Sequence, residues 1–105
     1  MKINEILEKV KNRFDKEKAG DFRGSFSFEI EGGDPKVFTL SVIDDGLEIT
    51  EKIEDSADCI IKTDLDTFSD IVNGEKSPIS EYMKGKLKIK GNLGSALKLN
   101  ELFFS

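Results

Sequence analysis

Apolar residues recur every three or four positions at the start of the chain, with lysines and glutamates between them. The repeating positions are Ile3, Ile6, Leu7, Val10 and Phe14. A segment with one apolar face at this spacing forms an amphipathic helix that buries that face. The pattern therefore predicts a first helix of about four turns, which ends at Gly20.

From Phe22 onward apolar and polar residues alternate, which is the period of a half-buried strand. Alternation marks four stretches, near residues 22–30, 37–42, 47–49 and 57–63. Asp44-Asp45-Gly46 lies between the second and third stretches and supplies the positive φ that a tight hairpin turn requires. We expect these four strands to form an antiparallel meander.

The helical period returns after the fourth strand. Either Thr63 or Asp64 can cap the next helix, and Asn73-Gly74 can close it. This helix places four apolar residues on one face, namely Leu65, Phe68, Ile71 and Val72.

A further helix starts at Ser77-Pro78, because serine is a good cap and proline lacks only an N–H that the first turn does not need. Gly85 ends this helix, and its apolar residues are expected to face inward: Ile79, Tyr82 and Met83. Leu87 and Ile89 then alternate with lysines in a last strand. A final helix follows with Leu93, Ala96, Leu97, Leu102 and Phe103.

The resulting element order is α-β-β-β-β-α-α-β-α, which predicts an α+β fold. The chain has 105 residues, the usual size of one domain, so residues 1–105 are expected to form a single domain.

The residues that carry most enzymatic and metal chemistry are scarce. There is no histidine, and the one cysteine, Cys59, lies within an apolar strand, where a buried structural thiol is the expected role. Asp64-Leu65-Asp66 has a spacing seen in metal ligands, but such residues at a helix start are usually caps. We therefore expect no catalytic residue, metal site or cofactor, and a protein that is not an enzyme.

The charge is uneven along the chain. The formal net charge is −5, which argues against a nucleic-acid binder, since such proteins need basic surface. The stretch from Lys76 to Lys98 nevertheless holds six lysines and one acid. Within it, Lys86, Lys88 and Lys90 form a row that is either a solvated strand face or a contact for anionic headgroups and an acidic membrane surface.

Two observations predict a cytoplasmic location. A single cysteine permits no internal disulfide, which suits a reducing compartment. The chain also has no recognisable signal peptide and no apolar run of about 20 residues, the length that spans a bilayer.

The stretch from Ala57 to Leu99 is the most specific part of the sequence. It joins Ala57-Asp58, the helix that ends in Asn73-Gly74, the segment 82–92 (YMKGKLKIKGN) and the segment 96–99 (ALKL). This ordered set resembles the lipid-binding domain family of sterol carrier protein 2, and the strand Phe26–Ile30 and the first helix match it as well. The short tail, without a peroxisomal tripeptide, is similar to that of stand-alone prokaryotic-type members.

The resemblance implies a five-stranded, mostly antiparallel sheet covered on one side by helices, with a hydrophobic tunnel between the layers. It further implies binding or transport of an apolar ligand such as a fatty acid, a fatty acyl-CoA, a sterol or an isoprenoid-like lipid. The residues expected to line the tunnel are Phe68, Ile71, Met83, Leu93, Leu97 and Phe103.

Three alternatives stay open. The same fold with a filled core would serve as an accessory or protein-interaction domain beside a partner enzyme. The terminal Phe104 could pack against the core, close the tunnel or pack in a dimer. The oligomeric state, monomer or weak dimer, is likewise open.

Overall fold

The computed structural model describes residues 3–33, 36–44 and 46–104. Its helices are α1 (Ile3–Arg13), α2 (Lys16–Ala19), α3 (Leu65–Val72), α4 (Pro78–Met83) and α5 (Leu93–Leu99), and a π-helical segment (Asn100–Phe104) continues α5. Its strands are β1 (Gly24–Glu31), β2 (Val37–Ile43), β3 (Gly46–Thr50), β4 (Cys59–Asp64) and β5 (Lys88–Gly91). They form one five-stranded sheet with helices packed on one face, so the α+β prediction is confirmed.

The sheet has the strand order β3-β2-β1-β4-β5. Three neighbouring pairs are antiparallel, whereas β1 and β4 run parallel, with Phe26 opposite Cys59. The predicted meander is therefore wrong at its fourth strand, which lies beside the first strand and not beside the third. Asp45, in the middle of the predicted hairpin turn, lies outside the described residues.

Two buried hydroxyl groups hold the crossover segment from β3 to β4 (residues 51–58) against the outer face of the sheet. Thr39 Oγ1 donates to the Lys52 carbonyl oxygen at 2.6 Å and lies 2.7 Å from Ser27 Oγ. Ser27 Oγ in turn accepts the backbone N–H of Glu54 at 3.0 Å. Both side chains are fully buried, and these bonds satisfy them as burial of a polar group requires.

The helix-covered face of the sheet carries an aromatic core. The Phe28 and Phe38 rings stack at 4.9 Å between centroids, and Phe68 of α3 lies 5.6 Å and 5.8 Å from them. All three side chains are buried. This cluster joins α3 to the middle of the sheet.

The first helix is shorter than the apolar pattern predicts. α1 ends at Arg13, and Asp15 starts α2 by accepting two of its backbone N–H groups. Phe14, in the junction, stacks on Phe103 at 5.7 Å. A single helix to Gly20 is therefore wrong, because an aspartate cap restarts the helix in a new direction.

The last helix has two apolar faces and buries only one. Leu99, Leu102 and Phe103 are buried, whereas Leu93 and Leu97 are exposed. Since residues 99, 102 and 103 lie on one side of the helix and residues 93 and 97 on another, the sheet can cover only the first set. None of the helices in the described ranges has the length and apolar character to cross a membrane.

Candidate functional site

Helix α4 forms one wall of the candidate site. Ser77 caps it by accepting the N–H of Ser80, and Pro78 occupies the first turn, as predicted. Its apolar residues do not face the core: Ile79 and Tyr82 are exposed, and Met83 is 80% exposed. The predicted inward orientation of these three side chains is wrong, because the core-facing position of this short helix is taken by Glu81.

Glu81 is a residue that the sequence pattern does not single out. Only 1% of it is exposed, and its Oε1 lies 3.9 Å from Lys76 Nζ. Among the described residues no hydrogen-bond partner is found for its Oε2. Its backbone carbonyl oxygen accepts the N–H groups of Lys86 and Leu87 at 3.0 Å and 3.3 Å, so Glu81 ties α4 to the segment that enters β5.

Helix α5 forms the opposite wall, and its start is held close to β4. Asn92 caps α5 through the N–H of Ser95 and donates its own N–H to the Asp58 carbonyl oxygen at 3.0 Å. Gly91 has φ +113°, and a Cβ there would lie 2.6 Å from that carbonyl oxygen. The Asp58 carboxylate accepts the N–H of Ser25 at 2.9 Å, which joins this corner to β1.

An apolar groove of about 270 Å³ lies between α4 and α5. Ile89 of β5 also lines the groove, and Asn100 is the one lining residue without a largely apolar side chain. Five large apolar side chains of the groove are at least 40% exposed, with Met83 at 80% and Leu97 at 59%. Such a concave, apolar surface is typical of a small-molecule site. Its exposed apolar side chains are Ile79, Tyr82, Met83, Leu93 and Leu97.

A much smaller apolar cavity, of about 30 Å³, lies behind the groove. Four residues line both spaces: Pro78, Ile89, Ala96 and Asn100. The deeper wall of the cavity consists of core residues, including Phe28, Leu87 and Leu99. The apolar space of these two features is therefore an open groove with a small recess behind it, and a continuous tunnel stays a prediction.

The six predicted lining residues divide among three places. Met83, Leu93 and Leu97 line the groove, and Phe68 and Ile71 line the cavity behind it. Phe103 lines neither space and packs on Phe14. The side chain of Phe104, whose role the sequence leaves open, lies outside the described residues.

The lysine row is exposed, and it does not line the apolar groove. Lys86 and Lys88 line a separate charged depression of about 340 Å³ together with acidic residues. Lys90 pairs with Ile60 on β4. Since successive side chains of a strand point to opposite faces, Lys88 and Lys90 lie on the face of β5 opposite Ile89 and the groove.

Asp64 lies at the edge of the charged depression. The N–H of Thr67 donates to Asp64 Oδ1 at 2.7 Å, which caps α3. This bond lowers the pKa of the Asp64 carboxyl, and the positive charges of Lys86 and Lys76 lower it further. Asp64, the first aspartate of the Asp64-Leu65-Asp66 pattern, is thus a helix cap.

Cys59 is buried in β4. Burial raises the pKa of its thiol to about 11, and the negative charge of Asp58 adds to this rise. The thiol is therefore protonated at neutral pH, which agrees with a structural role. In the described ranges no three acidic, cysteine or histidine residues cluster in a way that could hold a metal ion.

Known proteins resemble the chain along nearly its full length. The model of the SCP-2 sterol transfer family matches residues 3–104. Non-specific lipid-transfer protein-like 1 of Caenorhabditis elegans is 30% identical over 105 residues, which covers 96% of this chain and 89% of that protein. Hydroxysteroid dehydrogenase-like protein 2 of Mus musculus is 30% identical over 101 residues, but this chain spans only 21% of its length.

Solved structures agree on the fold. The solution structure of palmitated SCP2L2 from Aedes aegypti matches with a TM-score of 0.75 at 22% identity, over 96% of this chain and 93% of that one. A family model that covers residues 3–104 and a lipid-transfer relative matched over most of its length point the same way. This chain belongs to the SCP-2 sterol transfer family, a family of lipid binding and transfer.

Proposed function

We propose that this chain is a non-catalytic lipid carrier that holds the apolar part of its ligand in the groove between α4 and α5. The observation that supports this most is the exposure of five large apolar side chains around one concave surface. Exposed apolar residues scattered singly are normal on a protein surface, whereas a contiguous patch marks a binding site.

The size of the groove gives an order of magnitude for the affinity. A methylene group takes about the space of a water molecule, about 30 Å³, so 270 Å³ holds about nine of them. Burial of about nine methylenes at about 0.8 kcal/mol each contributes about 7 kcal/mol. Association and ordering costs reduce this gain, so we expect dissociation constants no tighter than about 10 µM.

The proposed contacts follow the position of each residue. Met83, Leu93 and Leu97 contact the ligand first, since they line the open groove. Phe68 and Ile71 contact only a ligand whose end reaches the inner cavity. Phe103 is proposed to support the site from behind by filling the core beside Phe14.

A second proposed contact is the lysine row, Lys86, Lys88 and Lys90. It lies outside the groove and is proposed to attract an anionic membrane surface or headgroup. Their exposure and the lysine-rich stretch around them support this role. Binding to phosphatidylglycerol vesicles should then weaken as salt is added, because the salt screens the attraction. Binding that does not change with salt, or equal binding to phosphatidylcholine vesicles, would contradict the proposal for these lysines.

The carrier proposal is tested by titrating delipidated protein with decanoate. Tyr82 is the one tyrosine and there is no tryptophan, so intrinsic fluorescence reports directly from the groove wall. Decanoate at ten times its dissociation constant should raise the free energy of unfolding by about 1.4 kcal/mol. The melting temperature should rise by roughly 6–11 °C. An unchanged melting temperature at saturating decanoate, below its micelle concentration, would contradict the proposal.

Two surface variants locate the binding. Leu97→Gln should weaken decanoate binding about fivefold, since it removes apolar contact area from the groove. Ile43→Gln replaces another exposed apolar residue, in β2 and outside the groove, and it should leave the affinity unchanged. Equal losses in both variants would mean that decanoate does not bind in the groove.

A second candidate is an accessory domain beside an enzyme. The observation in its favour is that this chain matches only 21% of the length of hydroxysteroid dehydrogenase-like protein 2. In that role the apolar groove would be covered by a neighbouring polypeptide. Delipidated protein that binds no alkanoate would favour this candidate over the carrier.

A further inference from the structure

The groove and the inner cavity share four lining residues, which together are called the partition. Pro78 of α4, Ile89 of β5, and Ala96 and Asn100 of the last helix line both spaces. Of these four, Ala96 has the smallest side chain, a single methyl group. Ala96 is partly buried and packs against the core cluster. The least obstructed passage from the groove to the cavity therefore runs past Ala96.

Behind the partition the space ends on residues that cannot move aside easily. Phe28 and Phe68 line the cavity, and their ring centroids lie 5.6 Å apart. Leu87 and Leu99 complete this wall, and all four side chains are at most 5% exposed. Since a protein core is close-packed, a ligand that enters the cavity stops here.

The two volumes together limit how much of an alkyl chain can be buried. The groove holds about nine methylene groups and the cavity about one more, at about 30 Å³ each. A sterol ring system has more carbon atoms than this space can bury, so part of its apolar surface would stay in water. The lining has no charged residue, so a charged head group must stay at the solvent edge.

We infer that the ligand is a single unbranched alkyl chain of about ten carbons with one polar end, and that the side chain at position 96 sets the longest chain that is fully buried. This inference rests on the proposed carrier function and specifies its ligand. The methyl end of the chain passes Ala96 and stops against Phe28 and Phe68. Carbons beyond about the tenth stay in water and add no affinity.

The test measures the affinity of delipidated protein for sodium alkanoates from hexanoate to tetradecanoate, by calorimetry or by Tyr82 fluorescence. For the natural sequence, each added methylene should lower the dissociation constant about fourfold until about decanoate. Longer chains should then bind with the same affinity. A fourfold gain that continues unbroken to tetradecanoate would overturn the inference, and so would displacement of decanoate by an equal concentration of cholesterol sulfate.

Ala96→Leu provides the sharper result. The variant adds three carbon atoms at the partition, so the affinity should level off about three methylenes earlier, near heptanoate. Leucine is also a good helix former, and thermal unfolding checks that the variant folds. Should it not fold, Ala96→Val makes the same test with a smaller shift.

Ser95→Leu is the matched control. It adds comparable bulk one residue earlier in α5, and Ser95 lines a different surface depression, between α5 and the segment that follows α2. The affinity of this control for alkanoates should stop increasing near decanoate, as it does for the natural sequence. An identical chain-length profile for Ala96→Leu and Ser95→Leu would overturn the role of residue 96 while the carrier function stands. An absence of alkanoate binding in every variant would overturn both.

Discussion

Replacement of Ser27 by alanine should destabilise the fold strongly, although Ser27 occupies a position that the alternation assigns to the polar face. Its hydroxyl accepts the Glu54 N–H at 3.0 Å and pairs with Thr39 at 2.7 Å, in full burial. Ser27→Ala removes both bonds and leaves a partly buried N–H without its partner. A buried donor left unsatisfied costs about 1–3 kcal/mol, so we expect a loss of about 2 kcal/mol in the free energy of unfolding.

Urea denaturation followed by circular dichroism measures this loss as a lower midpoint at an unchanged slope. In thermal unfolding it corresponds to a decrease of roughly 8–16 °C. Ser41→Ala is the matched control, since Ser41 lies in β2 on the same face of the sheet as Ser27; it should change stability by less than about 0.5 kcal/mol.

A double-mutant cycle with Thr39→Val isolates the bond between the two hydroxyls, and its coupling energy should be about 1 kcal/mol. A coupling near zero, or equal losses in Ser27→Ala and Ser41→Ala, would refute the idea that this pair holds the crossover. Decanoate binding should be unaffected, because the pair lies on the sheet face opposite the groove.

Three further predictions concern single residues. Gly91→Ala should lower the free energy of unfolding by about 2–3 kcal/mol, because residue 91 has φ +113° and its Cβ would lie 2.6 Å from the Asp58 carbonyl oxygen. A urea midpoint equal to that of the natural sequence would contradict this. Asp64→Ala should cost about 1 kcal/mol at pH 7. Because the pKa of Asp64 is lowered in the folded state, its contribution is present above about pH 4 and is lost as the pH falls through the folded pKa, so urea midpoints of the two proteins should converge in acid. The pKa of Cys59 is raised to about 11, so native protein should resist iodoacetamide at pH 8 until it is unfolded. The stabilisation from the protonated thiol is complete below its unfolded pKa of about 8.5 and is lost as the pH rises towards 11, and rapid labelling of native protein would count against this assignment.

Local signals in the sequence predict the helices and strands well where they are chemically specific. Ser77-Pro78 and Asp64 mark helix starts that the structure confirms, because a cap satisfies backbone donors within three residues. Strand pairing is a different matter. Alternation shows that one face of β4 is apolar, but it carries no information on whether β3 or β1 is its neighbour.

The candidate site shows the same division. Periodicity identifies Ile79 and Met83 as apolar positions of one helix face, yet a groove wall and a core surface have the same pattern. Burial of Glu81 decides between them, and it depends on how α4 docks, which no local rule predicts. The row of lysines is correctly expected to be exposed. That Lys88 and Lys90 lie on the face of β5 opposite the groove becomes evident only from the register of β5.

The parallel pairing of β1 with β4 has a consequence for the time course of folding. These strands pair along the whole of β4, but β2, β3 and the whole crossover separate them along the chain. During synthesis β1–β3 emerge before β4 and α3. At that stage α3 does not yet cover their aromatic face, and one edge of β1 is unpaired. Distant pairings of this kind slow folding, so the emerging chain is exposed to aggregation until β4 (Cys59–Asp64) and the helices that follow it have left the ribosome.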